Sequence, residues 1–258
     1  MTEKRRFSHS LIEAYSRCPA FAKFRYIEGI PSPKGKALVK GSACDAAWNE
    51  NLIQKIDTGA DLPLTDLLDA TRQAFAEEVE AAANGDGIDW EGSTEADELD
   101  AALRLTTVWR KTLAPDIQPT AVQVRYTRTL PSGREFIGFV DIEGTVDGAL
   151  AVIDNKTASR RFAAGDADKS LQPYAYAFLK EEPIDFVFAR AIDTGKTQNS
   201  EFAWTHRSKG DIAWYEGLVA QVEQAFEHDI FPPNPTGPFC GPTRCPFFER
   251  CQPHRVTK

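Results

Sequence analysis

Three side chains between Phe136 and Thr157 have types and spacing suited to chemistry: Asp141, Asp154 and Lys156. Two apolar, β-rich runs flank a turn at Val146-Asp147-Gly148, and each run carries a carboxylate that an ordinary core strand would avoid. Side chains on a strand alternate faces, so Asp154 and Lys156 project to the same side of a sheet. If Asp141 faces them across the hairpin, two carboxylates can hold a divalent metal while the ammonium steadies a developing negative charge. That chemistry suits hydrolysis of a phosphodiester. A bare Asp-x-Lys also arises as a solvated ion pair at a strand end. Here Leu150 to Ile153 is a continuous apolar run, expected to be buried on both faces, and charges at the end of such a strand are costly unless used or paired.

The surrounding pattern supplies elements to position these groups. Strands are expected from Ala121, where Val122, Val124 and Tyr126 alternate with polar residues; Pro131 to Arg134 turns the chain, and Glu135 to Thr145 returns. Asp147 beside Gly148 reads as a turn residue, and Glu143, on the face of Asp141, as a reserve ligand. A helix over Lys169 to Lys180 places Gln172 and Tyr176 on one face at i, i+4. Strands follow at Ile184 to Ile192 and Glu201 to His206, then a helix from Gly210 to His228. Upstream, Phe7 to Tyr26 opens with a cap at Ser8 or Ser10, and Glu13 stands three residues after Ser10 as in a capping box, before Pro19 interrupts. A second helix runs from Lys40 through Trp48, and Leu62 to Ala83 and Thr94 to Leu113 read as amphipathic helices forming a helical subdomain.

The tail from Phe231 carries Cys240, Cys245 and Cys251 among prolines, with few apolar residues to fold it. Metal binding is the leading reading for these thiols, although paired C-x-x-C knuckles are missing. Cys44, inside an apolar helix, reads as a small core residue. His9, His206, His228 and His254 lack ligand spacing and read as structural or surface residues.

At 258 residues the chain can bury one large core, or a core plus a helical subdomain. A net charge of -8 argues against a protein that coats DNA, but the distribution is uneven. Met1 to Lys40 holds nine Lys or Arg against three Glu, whereas Asp57 to Asp100 holds fourteen Asp or Glu against a single Arg72. The basic segment suits a phosphate backbone or a solvated helix face, and the acidic one is expected to point away from nucleic acid. No apolar stretch approaches a membrane span and Met1 to Ser10 is polar, so a cytoplasmic location is expected, where disulfides are disfavoured.

Gly138-Phe-Val-Asp141, Ile153-Asp154-Asn-Lys156-Thr157 and Gln172-Pro-Tyr-Ala-Tyr176 together resemble the PD-(D/E)XK nuclease superfamily. The similarity is to its RecB-like branch, including the AddB-type and CRISPR-associated exonucleases with a four-cysteine iron–sulfur cluster. Ser8-His-Ser-Leu-Ile-Glu-Ala-Tyr15 followed by Cys18-Pro19 is similar to the opening of those relatives, in which the cysteine before proline is a cluster ligand. The resemblance implies an α/β, restriction-endonuclease-like core with a central mixed sheet flanked by helices, a helical insertion and iron–sulfur-bound termini. Within one nuclease domain over 1–258, it implies N-terminal helices with the first cluster cysteine (1–56), the insertion (57–115), the catalytic sheet (120–206), and a C-terminal helix with the cysteine-rich tail (207–258).

It further implies that Asp141 and Asp154, with the backbone carbonyl of Asn155, hold Mg²⁺ or Mn²⁺. Lys156 then positions water or stabilises phosphate charge, and Gln172 and Tyr176 contact the DNA backbone or orient that water. Cys18, Cys240, Cys245 and Cys251 would bind a [4Fe–4S] cluster, with zinc as the alternative. Relatives carry a metal-binding His where this chain has Asp45, four residues after Gly41; aspartate can ligate the same metals, or stand merely as a helix-surface residue. The expected activity is exonucleolytic cleavage at DNA ends, alone or beside a helicase or recombination partner. The rivals are an idle nuclease fold that binds DNA or assembles, and an endonuclease or RNA-processing enzyme.

Overall fold

The computed structural model describes residues 6–251; His254 lies outside them. The chain opens with α1 (His9–Arg17), whose N-cap Ser8 accepts a hydrogen bond from the Leu11 amide. The Ser10–Glu13 capping box does not form: Glu13 instead faces His9 and Arg17. Pro19, whose missing amide costs nothing in a first turn, starts the short α2 (Pro19–Ala22), which runs into a π-turn at Lys23–Ile27. A two-residue β1 (Lys34–Gly35) precedes α3 (Lys36–Thr58), which begins before Lys40 and stops at Gly59 in the left-handed region. Then come α4 (Leu64–Ala83), β2 (Ile88–Asp89), which pairs with β1, and α5 (Glu95–Thr112), closed by a capping box between Thr94 and Asp97.

The main sheet is built from β3 (Ile117–Thr129), β4 (Glu135–Val146) and β5 (Ala149–Ala158). After α6 (Asp166–Lys169) and α7 (Gln172–Lys180) it is completed by β6 (Ile184–Asp193) and β7 (Gln198–Arg207), before α8 (Lys209–Glu227). Strand order follows the sequence, antiparallel except where β5 and β6 run parallel, so the five-stranded sheet is mixed. The parallel pair requires a crossover, and α6 and α7 supply it. Two helices stand where one was expected from Lys169, because Pro173 cannot donate to residue 169 and its ring clashes with that carbonyl.

One sheet face packs on α3, α4 and α5 through Ile142, Ile153, Val187 and Ala189 against Trp48, Leu67, Phe75 and Trp109. The other packs on α1, α7 and α8 through Phe136, Val152, Phe186 and Phe188 against Leu11, Phe178 and Tyr215. The expectation for Leu150 is corrected: it is 76% exposed, because the β4–β5 hairpin runs out past the covering helices, and burial begins at Ala151. Among the described residues no helix is long and apolar enough to cross a membrane.

Candidate active site

The β4–β5 ladder ends at Ile142 opposite Ile153. Counting one step further in that register puts Asp141 opposite Asp154, at the point where the two strands part. The outer neighbour is irregular too: Gln123 on β3 has a φ of 55°, and its side-chain amide reaches toward Asp141 Oδ1 at 3.5 Å. Both carboxylates therefore stand just beyond the end of the ladder, close enough to interact.

Asp154 is fully buried, and two donors converge on it. Lys156 donates to Oδ1 at 2.9 Å, and Gln172, in the first turn of α7, donates to the same oxygen at 2.5 Å. The Gln172 amide also donates to the Tyr176 hydroxyl at 3.0 Å, so the i, i+4 pair acts as one unit. Asp154 Oδ2 lies 2.8 Å from the lysine nitrogen but off the hydrogen-bonding direction, and it has no hydrogen-bond partner among the described residues. Asp45 comes in from α3; Asn49 donates to its Oδ2 at 3.0 Å, while its buried Oδ1 has no partner among the described residues. Asn155 turns the other way: its Oδ1 accepts from Trp109 Nε1 at 2.9 Å on the opposite face, leaving only its backbone to the site side.

Electrostatics report the crowding. Burial, then the neighbouring Asp154 charge and the hydrogen bond between the two carboxyls, pushes Asp141 up to about 9. Burial and Asp154 also raise Asp45. Burial works to lower Lys156, but Asp154, Asp141 and Asp45 outweigh it and hold the ammonium charged. Tyr176 is buried beside the same carboxylates and stays a neutral phenol. Without a cation, three carboxylates share one ammonium, and a proton kept on Asp141 relieves the excess. The oxygens of Asp45, Asp141 and Asp154 are hard donors of the kind that Mg²⁺ or Mn²⁺ prefers, and Asp45 Oδ1 and Asp154 Oδ2 have no hydrogen-bond partner among the described residues.

Glu143, the reserve candidate, is already engaged: Lys180 and Tyr126 each donate to its Oε1 at 2.6 Å. His9 was read from sequence as structural or surface, yet its ring lies close enough to Lys156 and Asp154 to feel both charges. The available signal was its place on the same helical face as Ile12, which is fully buried. His206 is an exposed partner of Asp185, and His228 ends α8.

A second cluster joins the chain ends. Cys18, Cys240, Cys245 and Cys251 all line one cavity of about 50 Å³, walled by Phe21, Phe24 and Phe247. Asn234 fastens the tail to the end of α1, its amide nitrogens donating to Cys18 Sγ at 3.3 Å and to the Arg17 carbonyl at 3.1 Å. Burial, followed by the neighbouring thiols, raises Cys245 and Cys251. Four convergent thiols in a phenylalanine-walled cavity are donors suited to a soft metal or cluster. Among the described residues, however, no three His, Cys, Asp or Glu side chains, here or at the aspartates, are already arranged to hold a metal ion. Cys44 stands apart as a core residue, its thiol pushed up to about 12 by burial.

Comparison with known proteins agrees with this architecture. A crystal structure of a protein from Eubacterium rectale, provisionally named an exonuclease, matches with a TM-score of 0.57 and 15% sequence identity, over 98% of this chain and 89% of that one. At that identity the likeness speaks for the fold alone. No curated protein gives a significant match. The family model of the PD-(D/E)XK nuclease superfamily matches residues 6–252, a span that takes in every element from α1 to the last cysteine. With that match over nearly its whole length, the chain belongs to the PD-(D/E)XK nuclease superfamily.

Proposed function

We propose that this nuclease-family chain is a divalent-metal-dependent deoxyribonuclease of the RecB-like branch, hydrolysing phosphodiester bonds from DNA ends. The observation that carries the reading is the meeting of Asp141 and Asp154 at the strand divergence, with Lys156 bonded to Asp154 and Asp45 near enough to add its charge to the same cluster. Asp141 and Asp154 would hold Mg²⁺ or Mn²⁺, with Asp45 and the Asn155 carbonyl completing the donors. The metal, when bound, supplies Lewis-acid activation of water and neutralises charge at the phosphate.

The chain's own residues do the rest. Lys156, whose side chain is 41% exposed, offers its ammonium to the phosphate oxygens as negative charge builds there. Gln172 holds Asp154 in one rotamer and orients Tyr176, so both enter the reaction already placed. Asp45 supports the hydrolytic reading over the idle fold, since its side chain is desolvated and feels the Asp154 charge.

The four-cysteine cavity is proposed to hold a [4Fe–4S] cluster that pins residue 18 to residues 240–251. The four thiols around one cavity support it, with Cys18 immediately before Pro19 as in the resembling nucleases. An anaerobic preparation would show the visible absorption of a cluster; a colourless protein carrying stoichiometric zinc would replace it with the zinc alternative. For activity, end-labelled linear DNA, closed circular DNA and RNA are each incubated with Mg²⁺ or Mn²⁺. Loss of the linear substrate alone, only with metal, is the expected result. Cleavage of the closed circle or of RNA would reassign the enzyme, and no cleavage of any substrate would return it to a binding role.

A further inference from the structure

The two elements that carry Asp45 and Asp154 extend beyond the acidic site and line one cleft. On α3, Ala37 and Lys40 lie in the two turns before Asp45; on β5, Thr157 and Ala158 follow Lys156 directly. The two elements come together at Gly41, where a Cβ would stand 3.4 Å from Thr157 Oγ1. To the same cleft α5 adds Arg104, the segment after β5 adds Arg160, and β6 adds Arg190. In the parallel β5–β6 pair Arg190 is the register partner of Lys156, so this basic wall stands one strand, about 4.8 Å, from the strand that bears the reactive ammonium.

The chain as a whole has a net charge of -8, yet Lys40, Arg104, Arg160 and Arg190 outnumber the anions of the cleft. Each of those anions is already engaged. Glu98 accepts from Lys40 at 2.5 Å and also faces Lys36 at 3.7 Å, Asp193 accepts from Arg104 Nε at 2.8 Å, and Asp97 closes the capping box with Thr94. Arg104 is held through Nε alone, and its Nη groups have no hydrogen-bond partner among the described residues. Arg160 is exposed, and its guanidinium makes no ion pair or hydrogen bond among the described residues. Its backbone, in contrast, is anchored: the Arg160 carbonyl accepts from Arg190 Nη2 at 3.0 Å, and Arg190 is itself paired with Glu201 and stacked over the Phe162 ring. A cation without an anion, on an anchored backbone beside the reactive lysine, suits a phosphate. The cleft encloses about 540 Å³, the size of a small-molecule site. That is room for a nucleotide or two of one strand, whereas the major groove of a duplex is by itself about 12 Å wide.

We infer that this cleft binds the backbone of a single DNA strand next to the phosphate that is cut, with Arg160 and the Nη groups of Arg104 as the phosphate contacts. The inference rests on the proposed hydrolytic function for the identity of the polymer and extends it to residues outside the acidic cluster. The ion pairs to Asp193 and Glu98 hold the cleft's other long side chains in place, and Arg160 supplies the uncompensated charge.

The test measures binding of a fluorescent single-stranded oligodeoxynucleotide, and of a blunt duplex of the same sequence, without added divalent metal over about 50 to 200 mM salt. Wild type is compared with Arg160→Ala, Arg160→Lys and, as a distant exposed arginine on α4, Arg72→Ala. Arg160→Ala is expected to weaken single-strand binding on the order of 10-fold and to reduce the slope of log affinity against log salt by about 0.7. Its unfolding midpoint should match wild type, because the side chain it removes has no partner. Arg160→Lys keeps the charge and the slope, and Arg72→Ala changes neither quantity. Wild-type affinity and slope in Arg160→Ala would overturn the inference, and so would an equal loss in Arg72→Ala, which would reduce the effect to overall charge. An equal loss on the blunt duplex would overturn the assignment to a single strand. A wild type that binds through Arg160 but cuts no DNA upholds the cleft and removes the hydrolytic reading alone.

Discussion

Two carboxylates one register step beyond the end of a β ladder are a costly arrangement, and Asp141 shows the cost. Burial and the Asp154 charge push its carboxyl up to about 9, far above the ordinary value of 3.8. Because the folded value lies above the unfolded one, Asp141 costs the metal-free fold nothing below about pH 4 and destabilises it increasingly as pH rises toward 9. Asp141→Asn removes that burden. We expect the metal-free variant to be more stable than wild type by on the order of 1 kcal/mol or more at pH 8, with the gap closing at pH 4. Urea titrations at the two pH values measure it, and a gap independent of pH would contradict the account. On the proposed function the same substitution is expected to abolish cleavage, since a site optimised for metal is not optimised for the empty fold. Gln172→Ala leaves Asp154 Oδ1 and the Tyr176 hydroxyl without their shared donor. Its cleavage rate should drop on the order of 10-fold or more with little change in DNA binding; an unchanged rate would show that the helix merely covers the site.

Elements fix how far the site was legible beforehand. Asp154 and Lys156 share a face because of strand alternation, so the sequence alone placed them together, as it placed Gln172 and Tyr176 one helical turn apart. The turn at Asp147-Gly148 was equally readable, both residues taking positive φ as a tight hairpin demands. What could not be read was the parting of β4 from β5, which depends on long-range register. The approach of His9 was hidden as well, because it depends on Phe7 pairing with a strand more than a hundred residues away. The early start of β3 has the same origin: Pro119 breaks the alternation, and the ladder shifts register between Pro119 and Ala121. Gly144 makes that bulge possible, since a Cβ there would collide with the backbone at Gln118 and Pro119. Gly144→Ala is therefore expected to destabilise the protein by about 1–3 kcal/mol in urea unfolding, although the same change in an open strand is harmless. An unaffected midpoint would show that the bulge is adaptable.

Across the whole molecule, the acidic stretch and the basic segment partly neutralise each other. Lys36 and Lys40 on α3 pair with Glu98 on α5, and Lys34 pairs with Glu78 on α4. The N-terminal cations are thus substantially committed to internal pairs, a point the one-dimensional charge count could not show. Cys18 and the 240–251 segment meet at the thiol cavity, so whatever the thiols bind closes a loop from residue 18 to residue 240. Closing so long a loop removes much unfolded-state entropy. Cys251→Ser should lower the thermal midpoint of anaerobically purified protein by several degrees and bleach its visible absorption, whereas Cys44→Ser leaves the absorption intact. Equal absorption in both variants would remove the tail cysteines from any cluster.

The central claim is that Asp141, Asp154 and Lys156 form one hydrolytic site, and the rate of end-labelled linear DNA digestion by Lys156→Ala against wild type, at saturating Mn²⁺, tests it most directly. The account predicts a loss on the order of 10²-fold or more with the fold and DNA binding retained. Digestion at the wild-type rate would contradict it.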